Sequence, residues 1–129
     1  MANIEIFTDY LCQPALRKPD GSVRRVLCSE VSYTSMASMN SSEMIQGAAL
    51  VFGYLQCKNN QYIDGFFPRE MDHASEMAQG MAFGILNTDA SRKLSYNYYK
   101  FVDKAAGAEY ISATSAVIGM DVNLLLTPR

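Results

Sequence analysis

RRVLCSEVSYTS (residues 24–35) is the stretch on which the reading of this chain turns. Val26, Leu27 and Cys28 form a short continuous apolar run, the pattern of a strand buried on both faces. Ser29-Glu30 follows directly, where Gly, Asn or Asp would ordinarily turn the chain. A polar run through Ser32, Tyr33, Thr34 and Ser35 then precedes anything regular. A carboxylate at the end of a buried strand is either a solvated acid or a functional one, and the neighbouring elements bear on the choice.

Working outward, Asn3 can cap a short helix with Ile4, Phe7 and Leu11 on one face. QPALRKPDGS (13–22) is a loop, punctuated by two prolines and an Asp-Gly dipeptide. Downstream, Asn40-Ser41-Ser42-Glu43 has the form of a capping box, with Glu43 reaching back to the cap. It opens a helix whose stripe is Met44, Ala48, Val51 and Leu55, broadened by Ile45, Ala49 and Phe52, and which stops near Lys58 before Asn59-Asn60. A second strand, Tyr62 to Phe67, runs into Pro68, which cannot donate to a ladder. A polar connection follows, with a short helix expected around Ala74 to Gln79. Leu94, Tyr98, Phe101 and Val102 then mark another amphipathic helix reaching about Ala105. The segment from Gly107 is irregular by this reading, since ISATSAVIG and DVNLLL each fit a strand or a short helix. The chain therefore divides into residues 1–106 and a tail, 107–129.

Composition narrows the function classes. The chain has 129 residues, 49% hydrophobic and 19% charged, with a formal net charge of −2, enough apolar material for one domain with a core. Its eleven Lys and Arg are scattered, which argues against nucleic-acid binding. No apolar run approaches the ~20 residues of a membrane crossing, and the N-terminus lacks a signal-peptide pattern, which leaves the compartment open. Cys12, Cys28 and Cys57 match no zinc or disulfide pattern and read as small buried hydrophobes. One histidine among acids falls short of a metal site, and no cofactor motif is present.

Alternation of buried strands and amphipathic helices predicts an α/β fold with parallel strands. Taking Cys28 and Phe66 as equivalent strand-end positions gives a repeat of 38 residues, against about 31 for each unit of a (β/α)8 barrel. On the pieces LCSEVSY, QGAALVFGYLQ, YIDGFFPREMDH and GILNTDASRKLSYNYYKFVD, residues 3–105 resemble the last units of a glycoside-hydrolase-like TIM barrel. The resemblance is nearest to a bacterial family of such barrels known only as a domain of unknown function. It implies a partial (β/α)8 barrel made of C-terminal βα units. It also implies Glu30 as the nucleophile of a retaining, carbohydrate-active enzyme. The acid/base carboxylate of such enzymes lies on an earlier strand that this chain does not contain, so the resemblance implies a fragment inactive on its own. The chain also departs from the wider group, having no Trp for the sugar platform after the last strand and Pro68-Arg69 there instead.

Retaining hydrolysis needs two carboxyl groups about 5–5.5 Å apart, and a barrel sets its chemistry at the C-terminal strand ends. Glu30 is the candidate nucleophile there. It can equally bind substrate hydroxyls or pair with Arg69, which would keep it ionised. Tyr33, Arg69, Asp72 and His73 are the candidate substrate-binding residues, Glu70 lying among them. A Cys28/His73 nucleophile pair is disfavoured because Cys28 lies in a buried strand. The alternative reading is a non-catalytic carbohydrate-binding or assembly module. Open strand edges predict self-association or a complementary barrel half as partner.

Overall fold

The computed structural model describes residues 3–126 and shows a small α/β domain. Its centre is a parallel pair, β1 (Val26–Val31) and β2 (Ile63–Pro68), joined by helix α2 (Glu43–Lys58). Helix α1 (Ile4–Leu11) precedes this unit; α3 (Ala74–Met77), α4 (Leu94–Phe101) and α5 (Gly107–Ile118) follow it. Cys28 pairs with Phe66, the correspondence expected from the repeat.

The partial TIM barrel is not observed. Among the described residues the sheet has two strands only, and no further βα unit continues it. After β2 the chain runs irregularly to residue 93 apart from the single turn of α3, held by isolated bridges from Leu86 to Met71 and to Arg92. Nor is the first strand buried on both faces, because Leu27 is 64% exposed while Cys28 is buried. Helices cover one face of the sheet and leave the other to solvent.

Helix α2 is enclosed on two sides, which explains why its observed burial is broader than a single stripe. Leu50 and Cys57 meet Cys28, Phe66 and Ile85 on the sheet side. Ala48, Val51 and Leu55 meet Tyr98, Val102 and Val122 on the other. The expected stripe residues Met44 and Ile45 are exposed at the helix start. The cap also differs: Ser42 accepts from the Ile45 amide at 3.2 Å. Glu43 instead accepts from the Leu94 amide at 2.6 Å and so caps α4, fixing where that helix begins. Residues 127–129 of the tail lie outside the described residues; the rest, read as irregular, is α5 followed by a 3-10 turn, Val122–Leu125. Its Val122 is fully buried against α2 and α5 partners in the second core. Of the strand and short-helix alternatives, the helix is observed; Thr114 and Ser115 donate their hydroxyls to carbonyls four residues back, Tyr110 and Ile111, which makes them compatible with a buried helix.

Two buried polar clusters tie the irregular segment to this frame. Gln46 is fully buried; its Nε2 donates to the carbonyls of Tyr33 (2.7 Å), Gly84 (3.1 Å), Ala82 and Phe83 (both 3.3 Å). Two N–H groups are thus shared among four acceptors. Its Oε1 accepts from Ser95 Oγ at 2.7 Å. Beside it, Lys93 Nζ lies 2.6 Å from Asp72 Oδ2 with both side chains almost fully buried. Lys93 also donates to Ser35 Oγ at 3.0 Å, and Asp72 Oδ1 accepts from the Gly84 amide at 2.7 Å. Position 84 has to be glycine, since a Cβ there would stand 2.3 Å from the Asp72 nitrogen.

Replacing Gln46 by Leu removes the donor to the Tyr33, Phe83 and Gly84 carbonyls, Ala82 keeping the Ser35 amide, and should lower unfolding stability by about 3 kcal/mol in urea denaturation. Lys93→Met strands the Asp72 carboxylate in the interior, a loss of about 3–5 kcal/mol. The double variant Asp72→Asn/Lys93→Met, which removes the charge while keeping an acceptor for Gly84, should lose less than Lys93→Met alone.

Candidate functional site

The site forms where β1 breaks register. Between the pairs Cys28–Phe66 and Val31–Pro68 the ladder shifts, so Ser29 and Glu30 stand opposite the single Phe67, a β-bulge. Glu30 absorbs the bulge with φ of 50°, in the left-handed region that costs a non-glycine residue about 1–3 kcal/mol. Its side chain is exposed. On the facing strand Phe67 is 54% exposed, and its ring edge lies 2.6 Å from where a Gly65 Cβ would be. Gly65 therefore lets the ring lie over the strand, with Leu27 beside it.

Ser29, Glu30, Phe67, Arg69, Glu70 and His73 line one surface depression of about 510 Å³, together with Pro68 and Met71. The structure thus gathers three of the expected residues, Glu30, Arg69 and His73, at one rim. Arg69 makes its ion pair with Glu76 of α3 at 2.9 Å, which steadies α3 against the rim. His73 is the residue before α3, exposed, its carbonyl accepting the Glu76 and Met77 amides at 3.0 Å.

Asp72 and Tyr33 are placed elsewhere. Asp72 turns inward to Lys93, where it is 3% exposed and serves the fold instead of a ligand. Tyr33 packs half-buried against the core of Cys28, Leu50 and Cys57. Burial, then the neighbouring Cys57 and Cys28 thiols, pushes its phenol up to about 12. It lines a second depression, about 400 Å³, with Leu27, Cys28, Ser29, Val31 and Ser32.

Two members of the rim escaped the sequence reading as ligand contacts, Phe67 and Ser29. Strand alternation carries the signal for Phe67, because Phe66 is buried and its neighbour must point outward. Among the described residues no group of three or more His, Cys, Asp or Glu could hold a metal ion, and no helix is long and apolar enough to cross a membrane. What the depression offers is an exposed aromatic face, two carboxylates and an imidazole, the mixture of apolar floor and few polar groups found in small-molecule sites.

No curated protein and no solved structure matches the chain. The family of unknown function DUF5722 matches over residues 1–123. That span covers nearly the whole sequence, and the chain belongs to this family.

Proposed function

We propose that the chain binds carbohydrate in the depression at the C-terminal ends of β1 and β2. The observation that carries the reading is Glu30, an exposed carboxylate held on left-handed backbone at the rim of that depression. Strain of this kind persists where the surrounding structure enforces it, and it clusters at functional sites. The Phe67 ring supports the same reading. It lies over Gly65 and leaves aromatic surface exposed, against which the apolar C–H face of a sugar can stack. Glu30, Glu70 and His73 would take the ring hydroxyls, and Arg69 would hold the loop through Glu76. Retaining hydrolysis with Glu30 as nucleophile is the catalytic form of this reading, and it requires an acid/base carboxyl about 5–5.5 Å from Glu30 in the ligand-bound state.

A second reading, assembly, draws on the uncovered sheet face. Leu27 and Phe67 are both more than half exposed there, and each strand of a two-stranded sheet keeps one unpaired edge. A second copy of the chain presents the same face and edges, and pairing the two would bury them.

Titration of the labelled chain with neutral oligosaccharides should shift the amide resonances of residues 29–31, 67 and 69–73. Phe67→Ala should weaken that binding about tenfold. A panel of sugars that moves none of these resonances would refute the carbohydrate reading. Glu30→Gly should raise stability by about 1 kcal/mol, because glycine adopts the left-handed conformation without strain, while weakening sugar binding. A loss of stability instead would mean that Glu30 is not strained. If assembly is the role, sedimentation should find a dimer that Leu27→Lys dissociates, and a monomer at high concentration would count against it.

A further inference from the structure

Cys28 lies on β1 and Cys57 in the last turn of α2, and they meet in the core beneath the sheet. The Cys57 thiol donates to Cys28 Sγ across 3.9 Å, and both are free thiols. A disulfide of about 2.05 Å requires the two sulfurs to approach from this separation. Both sulfurs are buried, but each residue lines a depression. Cys28 borders the opening of about 400 Å³ beside Ser29 and Tyr33. Cys57 borders a smaller one, about 190 Å³, with Tyr54, Lys58 and Phe66. Cys12, the remaining cysteine, is outside this cluster and half-buried.

We propose that Cys28 and Cys57 are a modification site, a dithiol that a small disulfide oxidant converts into a covalent staple between β1 and α2. The larger opening makes Cys28 the entry thiol. Its thiolate attacks one sulfur of the oxidant RSSR, releasing RS⁻ and leaving a mixed disulfide on Cys28. Cys57 then attacks the Cys28 sulfur, gives up its proton to solvent and releases the second RS⁻. The two thiols lose two electrons and two protons, and the oxidant is reduced to two thiols. The second step sets the pace, because burial, then the Cys28 neighbour, pushes the Cys57 thiol up to about 12, so little of it is thiolate at neutral pH.

The test uses the full chain carrying Cys12→Ser, incubated for hours with oxidised glutathione at mildly alkaline pH. Mass spectrometry should show the loss of two hydrogens, and peptide mapping should show a Cys28–Cys57 link. Closing a loop of this length should raise Tm by roughly 5–10 °C over the reduced protein. Reduction with dithiothreitol should reverse both changes. Recovery of both cysteines as free thiols after denaturation, or as glutathione adducts only, overturns the proposal. A linked product that melts below the reduced form overturns it as well, because the pair would then not be poised for bonding.

Discussion

Gln46 is the residue on which the rest of the arrangement depends. One amide group in the middle of the domain ties the turn after β1, the 82–84 segment and α4 to α2. A buried amide is costly unless its partners are present, and here the carbonyls of Tyr33, Ala82, Phe83 and Gly84 converge on it. The Asp72–Lys93 pair repeats the device one layer away, from the connection that follows β2 to the start of α4. Between them these groups hold the stretch from residue 69 to 93, whose only regular element among the described residues is the one-turn helix α3.

The candidate site inherits its shape from that lock. Arg69 and Glu70 are held by backbone bonds, their carbonyls accepting the Ile85 and Leu86 amides at 3.1 and 2.8 Å. The segment carrying His73 is pinned through Asp72, its immediate neighbour. On the other strand the bulge turns Glu30 outward while Cys28 and Val31 keep their pairings. The inward and outward carboxylates thus divide the work. Asp72 is paired and structural, whereas Glu30 and Glu70 face the depression.

Much of this was legible in the residues. The βαβ unit was visible in the helical stripe between two apolar runs, and the pairing of Cys28 with Phe66 follows from their similar positions at strand ends. The number of strands was not legible, because apolar runs show that a strand can be covered but not what covers it; Leu27 proved to face solvent. Gln46 and Lys93 look like ordinary polar positions on a helix and in a loop, and only the three-dimensional convergence of their partners makes them core residues. Asp72 next to His73 reads as a ligand pair for the same reason: sequence adjacency does not tell which side chain turns inward. Glu43 satisfied the local capping pattern but serves the helix start 51 residues away, a choice no local rule encodes.

Hydrogen exchange at the Gly84 amide, which donates to Asp72, tests the central claim most directly. If the buried polar lock holds the irregular segment as part of the core, Gly84 and the Ile85 and Leu86 amides exchange only on global unfolding, as slowly as the amides in the middle of α2. Exchange of these amides at the rate of an exposed loop, while α2 stays protected, would contradict the account.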